Sequence, residues 1–291
     1  MRRRDFPLAA SGLALAGRLA AAPVPQRSII ELRYLKMRTN AENQMQRTSE
    51  FLRSAVPAIK RAGIGPVGFF ASVIAEESPF ILSLAAFPSL SAMEAARQKE
   101  AEDKEYIAAR DKYNSQPGLG YERMESSLIR CFEGMPQVDA SVPTAQRPAR
   151  IFELRMYESN NSSTLARKVK MFNDAEIGIF KRLGMQPVFF GETIVGAKMP
   201  NLVYMLSFEN LAAREKLWQA FGADPEWQKL RSQPGNNDAE IVSNISNDSA
   251  PAAVLRYPLT RGRLKIQAIE RKFMGHAPQF ICAKRPRYSG T

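Results

Sequence analysis

The sequence predicts an α+β fold made of two tandem ferredoxin-like βαββαβ repeats whose antiparallel sheets pair into an α+β barrel. Three observations lead there. The chain matches itself at an offset of about 121 residues. Each copy runs strand, helix, strand, strand, helix, strand. A sheet covered by helices on one face leaves the other face bare, and a second copy supplies the cover. The offset is visible where Ile29-Ile30-Glu31-Leu32-Arg33 meets Ile151-Phe152-Glu153-Leu154-Arg155, where Lys60-Arg61-Ala62-Gly63 meets Lys181-Arg182-Leu183-Gly184, and where Pro66-Val67-Gly68-Phe69 meets Pro187-Val188-Phe189-Phe190. Phe87, Leu90 and Tyr106 meet Phe208, Leu211 and Trp227. The first block is displaced by 122 and the others by 121, so one residue is lost in the first helix or its approaches.

Copy two gives the clearest elements. A strand over about 150–157 alternates Phe152, Leu154 and Met156 with Glu153, Arg155 and Tyr157. Leu165, Val169, Phe172, Phe180 and Leu183 recur at helical spacing over about 162–183, and Gly184 stops the helix. Pro187 opens a strand to Val195, Gly196–Pro200 turns, and Leu202–Phe208 returns. Asn210 caps the second helix, which restarts at Asp224-Pro225-Glu226 with a cap and a proline at the first helical position. A last strand covers about 239–245. Copy one follows the same plan, with Pro57 a kink in its first helix. The domains expected are a segment 1–22, a first repeat 27–133, a Pro/Ser/Ala-rich linker 134–149, a second repeat 150–248 and a basic tail 249–291.

The chain has 291 residues and a net charge of +12, and the charge sits at the ends. Residues 1–22 carry +3, residues 251–291 carry +8, and the 228 residues between them carry +1. A balanced body lacks the basic stripe that tracks phosphates, so nucleic acid is not an expected partner. The start, MRRRDFPLAASGLALAGRLAAA, has a basic head, a short apolar run and a small-residue stretch. That is the layout of an export signal, and Arg3-Arg4-Asp5-Phe6 resembles the twin-arginine motif. Ordinary secretion and a basic cytosolic N-terminus are the other readings. The expected location is the periplasm or outside the cell. No apolar run is long enough for a membrane helix. Two cysteines (Cys131, Cys282) and one histidine (His276) allow no disulfide framework, no zinc knuckle and no Ser-His-Asp triad in the body. No cofactor or metal is expected. The basic tail could touch an anionic membrane surface or simply extend into solvent.

The run IFELRMYESNNSS at 151–163, FNDAEIGIFKRLGMQPVFFGE at 172–192, NLVYMLSFENLAAREKLWQAFGADPEWQKLRSQPG at 201–235 and EIVSNIS at 240–246 resembles the NIPSNAP domain. Copy one is similar through ELRYLKMR and AIKRAGIGPVGFF. The resemblance implies an exported bacterial member of that family within the dimeric α+β barrel superfamily, which also includes cofactor-free monooxygenases and EthD-like proteins. It implies a barrel that binds a ligand or a partner protein, with no settled activity. The alternative is a monooxygenase-like small-molecule enzyme.

The repeated Glu-Leu-Arg is the candidate site. Glu31 with Arg33, and Glu153 with Arg155, each lie two apart on a strand and share a face. The expectation is that Leu32 and Leu154 meet the helices while the charged face looks into the barrel. There the two pairs, related by pseudo-twofold symmetry, could satisfy one another as a structural network. They could instead form a polar pocket, an arginine holding an anion and a glutamate moving a proton. Tyr157 and Tyr204 could add hydroxyls to such a pocket or serve as core. Trp218 and Trp227 are read as packing the second helix onto the sheet, and the charged run from Arg97 to Arg110 as a solvated helix face. Catalytic residues are unknown, and further association into a homo-oligomer is left open.

Overall fold

The computed structural model describes residues 26–38, 43–72, 75, 77–141 and 151–251. The chain divides into a compact unit ending at Tyr257 and a second unit, Pro258–Thr291, outside the described residues. The signal-like segment 1–22, residues 142–149 of the expected linker, Arg150 and the tail from 252 onward, with His276 and Cys282, also lie outside them.

Module one contains β1 (Ile29–Lys36), α1 (Gln44–Arg61), β2 (Val67–Ala71), β3 (Phe80–Phe87), α2 (Leu90–Glu102), α3 (Lys104–Asn114) and β4 (Arg123–Cys131). Module two contains β5 (Ile151–Ser159), α4 (Ser162–Met171), a π-helical turn (Phe172–Glu176), α5 (Ile177–Arg182), β6 (Gln186–Val195), β7 (Asn201–Phe208), α6 (Leu211–Ala223), α7 (Pro225–Arg231), α8 (Asp238–Ile241) and β8 (Val242–Pro251). The second helix of each module is broken at an aspartate. The Asp103 and Asp224 side chains each accept two backbone N–H bonds and restart the chain as α3 and α7. The arginine that ends the first helix also grips that aspartate. Arg61 holds Asp103 and Glu105, and Arg182 holds Asp224 and Glu226. Gly63 and Gly184 follow those helices at φ +82° and +84°, the left-handed stop that glycine adopts without strain. Module two begins α4 with a full capping box between Asn161 and Thr164. The last strand differs from expectation. The Asn237 side chain caps a single turn, α8, so β8 starts at Val242.

The two half-sheets form one antiparallel sheet in the order β2-β3-β1-β4-β6-β7-β5-β8. They join at β4–β6, where Leu128, Ile129, Arg130 and Cys131 face Val195, Thr193, Glu192 and Gly191. The approach needs a glycine, because a Cβ at Gly191 would stand 2.8 Å from the Arg130 carbonyl oxygen. The sheet curls until its outer strands, β2 and β8, come close together. Phe70 of β2 then meets Phe152 of β5 edge-on, ring centroids 4.9 Å apart.

The core has three layers of apolar side chains. The concave face of the sheet is lined by Ile30, Leu32, Leu82, Leu84, Ile129, Phe152, Leu154, Val203 and Met205 among others. Leu52, Val56, Ile59, Phe69, Ile81 and Phe87 fix the helices of module one to its convex face. Module two does the same with an aromatic cluster that includes Phe172, Phe180, Phe190, Tyr204, Phe221 and Trp227. Both faces of the central strands are therefore buried. This is why FILSLAAF and NLVYMLSF read as nearly continuous apolar runs.

Candidate functional site

The Glu-Leu-Arg strands point the opposite way from expectation. Leu32 and Leu154 line the barrel interior, and Glu31, Arg33, Glu153 and Arg155 face the helices. The interior is apolar from both modules, and four charges there would lack partners other than each other. On the convex side α2 and α6 each bring an arginine across. Glu31 accepts from Arg33, Arg97 and Ser126. Glu153 accepts from Arg155 at 2.9 Å, from Arg214 at 2.6 and 2.9 Å, and from the Trp218 indole N–H at 3.1 Å. The partners of each glutamate lie in its own module, so the two pairs do not meet across the pseudo-twofold.

The two modules solve one problem with different side chains. At the shared offset of 121, Arg97 stands where module two has Trp218. Module two recovers the missing charge one helical turn earlier, with Arg214. The Arg155 guanidinium stacks 4.4 Å above the Trp218 ring. Burial pushes both glutamates up, and the arginines more than reverse it. Arg97 and Arg33 hold Glu31 below the ordinary carboxylate range, and Arg214 and Arg155 do so for Glu153. Arg97 also binds the buried Glu100, so the run from Arg97 is not wholly a solvated face as expected. Tyr157 and Tyr204 belong to the same core. Arg155 donates to the Tyr157 hydroxyl at 3.2 Å, and the two tyrosine hydroxyls lie 3.0 Å apart. Burial, then Tyr157, pushes Tyr204 well above the usual phenol range.

A second buried cluster had no reading in the sequence. The Lys168 side chain is fully buried and donates to Glu176 at 2.9 Å and Asp238 at 3.0 Å. The rings of Trp227, Phe172 and Tyr157 surround its ammonium at 5.2, 5.4 and 5.6 Å. The π-helical turn makes this possible. Eight residues along an α-helix would leave Glu176 about 80° around the axis from Lys168. One extra residue in the turn sets it back by about 100° and returns it to that face. In module one, Arg47 stands 121 residues before Lys168 and spends its donors on the carbonyls of Tyr113, Gln116, Pro117 and Gly118. A lysine and a glutamate eight apart match no helical pairing rule, so only the π-turn would have disclosed the cluster.

A concave feature of the surface lies elsewhere among the described residues. A cleft of about 480 Å³ opens where α5 gives way to β6, against residues 135–141 that follow module one. Met185, Pro187 and Val188 supply apolar lining, and Asp139, Ser141, Lys181 and Gln186 supply polar groups. Part of the expected linker is thus packed structure. Met135 is buried in the module-two core, and Asp139 N–H bonds the Val188 carbonyl. Among the described residues no group of acidic, histidine and cysteine side chains could hold a metal, and no helix is long and apolar enough to cross a membrane.

The NIPSNAP family model matches residues 30–133 and 152–251. A solved structure of a presumed monooxygenase from Lactobacillus acidophilus NCFM is similar over 77% of this chain and 93% of its own, at 8% identity and a TM-score of 0.52, a likeness of fold. An uncharacterised NIPSNAP-like domain protein from Burkholderia xenovorans matches at 20% identity over 42% of this chain and 97% of its own, TM-score 0.32. A NIPSNAP family protein from Agrobacterium tumefaciens C58 matches at 19% identity over 34% and 88%, TM-score 0.30. No curated protein matches.

Proposed function

The chain belongs to the NIPSNAP family, and from that premise we propose that it is an exported binding protein, a fused α+β barrel that holds a small ligand or a partner's segment in the cleft beside the module junction. One observation carries this reading. The charged strand residues are engaged, while the cleft, with a volume in the range of ligand pockets, presents unlike charges over an apolar floor. Lys181 and Asp139 would fix the polar ends of the occupant, and Met185, Pro187 and Val188 would hold its apolar part. A monooxygenase-like reaction at the Glu-Leu-Arg strands needs a carboxylate free to accept a proton. Glu31 and Glu153 are instead each held by two arginines, which weighs against it.

The test is mass spectrometry of small molecules released from protein purified from its own host, for wild type, Lys181→Glu and Arg155→Ala. A ligand lost in Lys181→Glu and retained in Arg155→Ala supports the cleft. A ligand lost only in Arg155→Ala moves the site to the strand pair and favours the enzyme reading. Export is tested by fractionating cells that carry Arg3→Lys with Arg4→Lys. Unchanged delivery to the periplasm would remove the twin-arginine route.

A further inference from the structure

The Lys168 cluster holds two carboxylates on one ammonium, and the carboxylates are not equivalent. Glu176 is completely enclosed, whereas the Asp238 side chain is 35% exposed. Asp238 opens α8, part of the segment 232–241 that straps module two between α7 and β8. Ile241 packs in the module-two core, and among the described residues three side chains of module two bond to this strap. Arg167 donates to the Gly235 carbonyl at 3.0 Å, Asn160 donates to the Glu240 carbonyl at 2.8 Å, and Lys168 binds Asp238. Only the last is an ion pair, and it is the one whose loss would strand a buried charge.

We propose that this cluster is a proton-operated latch: a proton on Glu176 leaves Asp238 as the sole counter-ion of Lys168 and fastens the strap, and loss of that proton gives Lys168 a buried counter-ion and releases Asp238 to water.

The charges facing Glu176 fix the direction. Lys168 comes from α4 and Asp238 from α8, while β5 and β7 bring the Tyr157 and Tyr204 hydroxyls. α7 contributes the Trp227 ring, with the exposed Arg231 5.8 Å from that ring. With both carboxylates ionised, the cluster carries one net negative charge in an apolar surround. The proton belongs on the enclosed member, since the half-exposed one keeps its hydration. Burial, opposed by Lys168 and reinforced by Asp238, pushes Glu176 up to about 7. The two carboxylates outweigh burial at Lys168 and keep it charged throughout. When Glu176 is neutral, Asp238 cannot leave without abandoning a buried ammonium. When it is ionised, Asp238 is repelled by a like charge and has water within reach.

The test is amide hydrogen exchange of the full chain at pH 5.5 to 8.5, followed at Ala239, Glu240 and Ile241, whose N–H groups bond to Asn237. Rates are expressed as protection factors to remove the intrinsic pH dependence. Wild type should lose roughly tenfold or more protection across the range, with a midpoint near neutrality. Glu176→Gln should stay protected throughout, and Asp238→Asn should be poorly protected throughout. The Glu176→Gln chain retains His276, so a step that survives in it belongs to another group and overturns the latch. Flat protection in wild type overturns it without any variant. So would an Asp238→Asn profile matching wild type.

Discussion

Replacing Glu153 by alanine tests the convex-face assignment, because the two modules should respond unequally. Glu153 is enclosed and accepts four hydrogen bonds from Arg155, Arg214 and Trp218. Removing one partner of a buried ion pair costs about 3–5 kcal/mol. Arg214 is 27% exposed and can turn partly to water, which places Glu153→Ala near the lower end, at about 3 kcal/mol. For a folded unit of this size that is a fall in Tm of about 6–12 °C. Glu31→Ala leaves Arg97 still bound to Glu100, and Arg33 and Arg97 are each about a third exposed. Glu31 is itself buried, so its replacement should cost about 2 kcal/mol, or about 4–8 °C. Calorimetry and urea unfolding at pH 7 measure both. Equal small losses, or a larger loss for Glu31→Ala, would mean that Glu153 is solvated and that the reasoning about its partners is wrong.

Two further outcomes follow from the same geometry. Stability should pass through a maximum at mildly acidic pH. Glu31 and Glu153 lie below their unfolded value of 4.5, so their contribution is present above that value and is lost as pH falls through the folded one. Glu176 lies above 4.5, so its contribution is present below that value and is lost as pH rises through about 7. Urea midpoints from pH 3 to 9 should trace both limbs, and Glu176→Gln should flatten the alkaline one. Burial pushes the Cys131 thiol up to about 12, so in a Cys282→Ser chain it should resist a thiol reagent at pH 8 until the protein is unfolded, and labelling of the native chain at a free-thiol rate would contradict its placement.

The duplication and the element order were legible because a whole module repeats in sequence. The faces were not. Alternation places Leu154 and Glu153 on opposite sides of β5, but it does not say which side the helices cover. That depends on Arg97 and Arg214, which reach the strands from 60 or more residues away. The usual rule that apolar strand faces meet helices misleads here, because the fused barrel needs its own apolar interior. The Asp224 cap was legible as Asp-Pro-Glu at 224–226, and the Asp103 cap could have been found from it, since Asp-Lys-Glu at 103–105 stands at the offset that joins Arg61 to Arg182. The site at Lys168 was hidden by the π-turn, and the cleft by a segment whose composition reads as linker while Met135 and Asp139 are fastened to module two.

The central claim is that one continuous sheet curls so that the apolar faces of the two modules enclose each other. Nuclear Overhauser contacts in the intact chain, with selectively labelled phenylalanine and Phe152→Leu for assignment, test it most directly. A cross-peak between the Phe70 and Phe152 rings, 4.9 Å apart between centroids, is expected. Its absence, with Phe152 instead contacting the aromatic cluster beneath α5 and α6, would place the modules against each other by some other face.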